Sequence, residues 1–237
     1  GTSTVAAKAT RVRARIVAQT INEQMQASDK VFIMGHDNED YDAIGSAIGM
    51  AKLSLSLNKE TYIVLSGRND NVNRISEMLA RESIKVNDHE EDYNSIMVEE
   101  AEALKHITPN SLLVLVDHHR EILTASKSVL EAIPKRIIVD HHRRSEDLLA
   151  DTVLLYLEPS SSSTSELLTE LVGYFNDRLE FTPVEATALY SGIVLDTKNF
   201  AVQTGVRTFE AAALLRRNGA DSNMVRLMFK DDMDVLK

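Results

Sequence analysis

The sequence predicts an α/β fold: a doubly wound, mostly parallel sheet with helices on both faces. Two observations carry the prediction. Short apolar runs, leucine-rich or β-branched, alternate with longer amphipathic stretches along the chain, which is the signature of βαβ units. Two of those runs, residues 112–116 and 136–139, open onto nearly the same words, "DHHRE" and "DHHRR". A short apolar run bounded by charge reads as a buried parallel strand. Parallel strands deliver their C-terminal residues to one edge, where open α/β sheets bind ligands, so Asp117 to His119 and Asp140 to His142 are placed side by side.

The elements follow in order. Val12, Ile16, Ile21 and Met25 recur at helical spacing among Lys8, Arg11, Arg13 and Arg15, predicting an amphipathic helix. Its basic half contrasts with the acidic remainder, so residues 1–27 are assigned as a connector helix ahead of one domain at 28–237. A strand at 31–34 ends in Gly35-His36, a polar loop follows, and residues 43–55 form the next helix. A second strand at 61–65 runs into the turn-rich Ser66-Gly67-Arg68-Asn69-Asp70. Residues 87–91 are polar and acidic, and 97–104 are predicted helical. After the strands at 112–116, 136–139 and 152–157 comes a run of serines at 160–163. It reads as a helix N-terminus, since serine and threonine cap orphan amides, and Leu167, Leu168, Leu171 and Val172 continue the helix. Pro183 starts a helix at 184–195, and Thr208 starts another at 211–217 that Asn218-Gly219 stops. No second domain is visible.

Bulk properties bound the function. The 237 residues carry a formal net charge of −10, which argues against gripping long nucleic acid through phosphate neutralisation. A small phosphorylated substrate is still admissible, because bound divalent cations reverse the local field of a carboxylate-rich cleft. There is no cysteine, which removes disulfides, thiolate metal sites and cysteine nucleophiles and fits a reducing compartment. No apolar run reaches the roughly 18 to 20 residues of a membrane helix. A cytoplasmic domain is the default expectation.

The strongest local signal is "GHDNEDYDAIGSAIG", residues 35–49. His36, Asp40 and Asp42 lie after a strand and before a helix, so one loop can fold them around a point. Mixed imidazole and carboxylate donors suit Mn, Fe or Zn better than Ca. A solvated acidic loop fits the same stretch, so it leaves two readings by itself. Asp117, His141 and Asp196 add candidates where further apolar runs meet polar residues. The six together suffice for two metals if one carboxylate bridges, and such a pair, roughly 3.5 to 4 Å apart, clamps a phosphoryl group. Phosphoester hydrolysis is the natural chemistry.

The ordered series His36-x3-Asp40-x-Asp42, Asp117, Asp140-His141-His142 and Asp196 resembles the DHH phosphoesterase superfamily over residues 28–230. The resemblance implies two divalent ions, Mn foremost: one on His36, Asp40 and Asp117, the other on Asp42, Asp117, His141 and Asp196. It implies catalytic roles for Asp117 and for His142, a donor to phosphate. Asp140 and His119 then support the site, and Arg143, Arg144 and Arg207 are candidate substrate contacts, as is the segment 161–165, with solvated positions the alternative for the first two and capping or structural roles for Arg207 and 161–165. His118 has no evident role, because related sequences commonly carry a small polar residue there. His89 and His106 read as surface residues.

"EPSSSSTSELLTEL" and "GIVLDTKNFAVQTGVRTFEAAALLRRNGAD" are similar to the GdpP (YybT) type of bacterial cyclic-di-AMP phosphodiesterase. That likeness implies hydrolysis of cyclic di-AMP to linear pApA in second-messenger signalling. It also implies a membrane-anchored protein with PAS and GGDEF-like domains before this one and a DHHA1 domain after it, so a fragment is expected here. A homodimer is a further expected partner. Alternatives are a nanoRNase-like hydrolase of short linear oligonucleotides, a pyrophosphatase, or a nucleotide-binding regulatory module without turnover.

Overall fold

The computed structural model of the protein describes residues 2–235; the expected surface position of the His89 side chain lies outside the described residues. The chain runs α1 (Thr2–Gln26), β1 (Lys30–Met34), α2 (Tyr41–Ser56), β2 (Glu60–Leu65), α3 (Asp70–Leu79), β3 (Ile84–Val86), β4 (His89–Glu91) and α4 (Tyr93–Ile96). It continues through β5 (Met97–Glu99), α5 (Glu100–His106), β6 (Ser111–Val116), α6 (Lys127–Ala132), β7 (Arg136–Asp140) and β8 (Leu154–Leu157). Four helices close it: α7 (Thr164–Phe175), α8 (Pro183–Asp196), α9 (Val206–Arg217) and α10 (Ser222–Val235).

Six strands form one sheet in the order β5-β2-β1-β6-β7-β8, every pair parallel, while β3 and β4 make a separate antiparallel hairpin. The chain moves outward from β1 to β2 on one side, then crosses to β6 and continues the other way. The winding therefore reverses between β1 and β6, and a crevice opens there beyond the carboxyl ends of the strands. Alternate strand residues feed two cores. Phe32, Met34, Leu113, Leu115 and Ile138 pack with Ala103 of α5 and Val129 and Leu130 of α6. Val31, Ile33, Leu112, Val114 and Val139 pack on the opposite side with α1, α2, α7 and α8. Helices on both faces explain why the strands are apolar throughout.

Small residues set the closest helix contact. A methyl group on Gly45 of α2 would sit 2.5 Å from the Ala188 carbonyl oxygen of α8, and one on Gly192 would lie 2.9 Å from Asp42 Oδ1. The same pair of helices buries an ion pair: Lys52 Nζ donates to Glu185 Oε1 at 2.9 Å, with both side chains almost fully enclosed. Glu185 also accepts from the Thr182 amide at 2.8 Å and from the Tyr93 hydroxyl of α4, so no lone charge is left in the core.

Several elements depart from the sequence reading. The stretch expected as helix at 97–104 begins as strand β5, paired with β2, and turns helical only at Glu100. A three-residue edge strand is too short for its periodicity to separate from the following helix. Helices α3, α6 and α10 and the β3–β4 hairpin add to the expected set. Helix α1 packs on α7 through Ala14, Val17, Ala18, Ile21 and Met25, whereas Val12 and Ile16 are 56% and 57% exposed. Two alanines let α1 approach closely, and that rotates its buried stripe away from the bulkier pair. No helix among the described residues is long and apolar enough to cross a membrane.

Candidate metal centre

The crevice between β1 and β6 gathers six residues from four segments. His36 leaves β1, and Asp40 then caps α2, its Oδ1 accepting from the Ala43 amide at 2.8 Å. Asp42 stands in the first turn of α2 and is fully buried. Asp117 follows β6 with φ 63°, a left-handed conformation that aspartate tolerates better than most residues. His141 follows β7, and Asp196 is the last residue of α8.

The ligand atoms face one another. His36 Nε2 lies 3.3 Å from Asp117 Oδ2 and 3.4 Å from Asp40 Oδ1. His141 Nε2 lies 3.0 Å from Asp196 Oδ2, 3.5 Å from Asp117 Oδ1 and 3.7 Å from Asp42 Oδ2. These form two groups, His36–Asp40–Asp117 and Asp42–Asp117–His141–Asp196, each with its ligand atoms within 4.8 Å of one another. Asp117 belongs to both and turns one oxygen toward each histidine. Although three carboxylates surround His141 Nε2, none is aligned as its hydrogen-bond partner, so this buried nitrogen aims at the space between them. His36 Nδ1 is engaged by the Asp37 carbonyl at 2.9 Å, which leaves Nε2 to face the cluster. An orphaned buried nitrogen among carboxylates, with donors of this chemistry, fits a divalent cation.

Protonation follows the crowding. Burial works against the His36 imidazolium, yet Asp117 and Asp40 lift its pKa to about 11. Burial likewise opposes His141, and Asp117 and Asp196 raise it to about 11. Burial would raise the Asp117 carboxyl, but the His141 and His36 imidazoles beside it hold it well below the usual range. Asp42 moves the other way: burial, reinforced by Asp117 and Asp196, pushes it well above the ordinary carboxylate value.

The surrounding residues fix these groups. The N-terminus of α7 donates two amides to Asp42, from Thr164 at 3.0 Å and Ser165 at 2.8 Å, and the Thr164 hydroxyl donates to Asp117 Oδ1 at 3.0 Å. Asp140 is fully buried and accepts from His142 Nδ1 at 2.7 Å, from His119 Nδ1 at 2.7 Å and from the His141 amide at 2.8 Å. The far side of His119 meets Ser145 Oγ at 2.8 Å and the Ser145 amide at 3.0 Å. The Asp140 hydrogen bond raises the His142 pKa above its ordinary value. His118 proves to be a brace for the turn at Asp117. Its Nδ1 donates to the Val116 carbonyl at 2.8 Å and its Nε2 accepts from Thr124 at 3.0 Å, which brackets that left-handed residue. Burial lowers its pKa to about 4, so it does this as a neutral ring.

The cluster opens into a cavity of about 540 Å³ that His142, Arg143 and Ser145 also line. Arg143 is exposed at its rim, and Arg144 is exposed beside it. Arg207 does not line this cavity: its guanidinium pairs with Glu170, and it lines a different cavity with Arg11 and Tyr174. The serines at 161–163 are buried and structural. Ser163 caps α7, accepting from the Glu166 amide at 3.0 Å, while Ser161 and Ser162 donate to the Glu166 carboxylate. His106 stacks on Tyr62 at the surface with its Nε2 3.1 Å from Glu102. Thr164 and Ser165, within the segment expected as substrate contacts or helix caps, instead hold Asp42 and Asp117, since a serine-rich helix start advertises capping and not whose carboxylate it caps; Ser145 was not singled out by sequence reasoning.

The model of the DHH family, N-terminal domain, matches residues 30–193. The cyclic-di-AMP phosphodiesterase PdeA of Listeria monocytogenes is 41% identical over 226 residues, covering 95% of this chain and 34% of its own length. The cyclic-di-AMP phosphodiesterase GdpP of Bacillus subtilis is 40% identical over 227 residues, again covering 34% of its length. The chain thus spans about a third of these relatives. Among solved structures, an exopolyphosphatase-related protein from Bacteroides fragilis superposes with a TM-score of 0.70 over 89% of this chain and 59% of its own, at 18% identity, which is a likeness of fold. With the family model matched over most of its length, the chain belongs to the DHH family.

Proposed function

We propose that this chain is the metal-dependent phosphodiesterase part of a larger protein and opens cyclic di-AMP to linear pApA. One observation carries the reading: in a chain about 40% identical to cyclic-di-AMP phosphodiesterases, six separate donors form two groups joined through Asp117. In this reading His36, Asp40 and Asp117 hold one divalent ion and Asp42, Asp117, His141 and Asp196 a second, manganese being the ion expected. When bound, such ions supply Lewis-acid charge at a phosphoryl oxygen and lower the pKa of water to give a nucleophile near neutral pH.

The chain's own groups orient and donate. With Nδ1 held by Asp140, His142 is fixed at the cavity wall, and Nε2 donates to a phosphate oxygen. His119 and Ser145 brace Asp140 from behind. Arg143 adds positive charge at the rim. The proposal extends to the rest of the molecule: a DHHA1 domain completes substrate binding, GGDEF-like and PAS domains precede this domain, and a membrane anchor leaves it on the cytoplasmic side.

The test is metal content together with release of pApA from cyclic di-AMP in manganese buffer, for this chain and for one extended through the following domain. About two ions per chain are expected, with loss of metal and hydrolysis in Asp42→Ala and Asp117→Ala. Unchanged metal content and turnover in Asp117→Ala would sink the assignment. Cleavage of linear oligonucleotides without cyclic di-AMP would keep the metal centre and replace the substrate.

A further inference from the structure

Sharing His142 and Arg143 with the aspartate-walled cavity is a second lobe of about 460 Å³, lined also by His141, Ser160, Gln203 and Thr204 among others. Its chemistry is the reverse of its neighbour's. The first cavity is walled by Asp37, Asp40, Asp117, Asp140 and Asp196; the second has no carboxylate among its lining residues, in a protein of net charge −10. The Arg143 guanidinium, the Gln203 amide and the Thr204 hydroxyl have no hydrogen-bond or ion-pair partner among the described residues, so their donors are open to a ligand. Guanidinium, amide and hydroxyl are donors that suit a phosphate oxygen.

The backbone presenting Gln203 and Thr204 is unusual. Starting two residues after Asp196, Lys198, Asn199, Phe200 and Gln203 have φ of 48°, 57°, 65° and 54°. Thr197 pins this left-handed segment: its carbonyl accepts from the Ala201 and Val202 amides at 2.8 and 3.0 Å, and its hydroxyl from the Phe200 amide at 2.9 Å. Left-handed backbone outside glycine persists where contacts over-determine it, and it clusters at ligand sites. His142 and Arg143 line both lobes, so the two adjoin at these side chains.

We propose that this lobe is a second-phosphate subsite, taking the neighbouring phosphate of a dinucleotide whose scissile phosphodiester lies at the aspartate–histidine cluster. The inference rests on the phosphodiesterase reading and adds to it how a substrate with two phosphates is told from one with a single phosphate.

The experiment compares binding of pApA and ApA, which share two bases and differ by one phosphate, to the manganese-loaded chain by calorimetry. The wild type is expected to favour pApA, and Gln203→Ala/Thr204→Val to reduce that preference by roughly tenfold, the loss expected for hydrogen bonds to a charged group. Arg143→Gln is expected to act in the same direction. All three residues are exposed, so the substitutions leave the core intact. Equal affinity for pApA and ApA in the wild type, or a preference unchanged in both variants, overturns the subsite. Hydrolysis of bis(p-nitrophenyl) phosphate reports separately on the metal centre: its absence, with no bound metal, condemns the phosphodiesterase reading instead.

Discussion

Loading the cluster with metal should expel protons, and the number can be worked out. His36 and His141 have pKa values of about 11 through their carboxylate neighbours, against an ordinary 6.5. At pH 7.5 each therefore carries a full proton in chelated protein, whereas an unperturbed imidazole would carry about 0.1. A histidine must be neutral to ligate, so each ion should displace about one proton from its histidine, and affinity should rise about tenfold per pH unit per ion. The assay is manganese titration into chelator-treated protein by calorimetry in two buffers of different ionisation heat. About two protons per chain are expected at pH 7.5, with any further release coming from the raised Asp42 carboxyl. The linkage also has a sign in stability. A histidine whose folded pKa is raised contributes stability that is fully present below pH 6.5 and lost as pH rises through about 11. Thus this contribution to the Tm of chelated protein should fall from pH 7 to 9, while that of metal-saturated protein should not. Release of about 0.2 proton per chain, with affinity flat between pH 7 and 8, would refute the coupling.

Three further outcomes follow from the packing. Lys52→Met leaves Glu185 buried without its cation, and should cost about 3–5 kcal/mol, lowering Tm by roughly 6–20 °C; an unfolding free energy from urea titration within about 1 kcal/mol of wild type would contradict this. Gly45→Ala drives a methyl onto the Ala188 carbonyl and should lose about 1–3 kcal/mol, whereas Gly173→Ala, with nothing within 4 Å, should gain about 0.5–1 kcal/mol. Thermal scans showing the same sign for both would undo that contrast. Thr164→Val removes the hydroxyl that orients Asp117 and should weaken manganese binding about 10–100-fold, with Thr164→Ser largely restoring it; equal affinity in both would leave Thr164 a packing residue.

The sheet was legible because buried parallel strands announce themselves as uninterrupted apolar runs, and each ends at a residue that polar chemistry marks. His36, Asp117 and His141 are all such residues, which is why three strand ends pointed to one crevice. Asp42 and Asp196 were legible as polar residues beside an apolar run, but both sit on helices, and nothing in their local spacing says which turn faces the sheet edge. The supports were illegible for another reason. Thr164 reaches Asp117, and Ser145 reaches His119, only because β8 and the loop after β7 bring them there, and pairing at that distance leaves no periodic trace. Helix α1 shows the limit of periodicity itself, because Val12 and Ile16 satisfy the spacing while the alanines beside them decide which face is buried.

The convergence of donors from the end of β1 to the end of α8 has a consequence for assembly. The first group needs β1, the start of α2 and β6, and the second adds β7 and α8, so an intermediate lacking α8 lacks Asp196, and one lacking β6 lacks the residue common to both. On the proposed reading, an ion held across these segments would favour the assembled crevice over forms in which β6, β7 or α8 has come away, so metal affinity would report on how well those segments are joined.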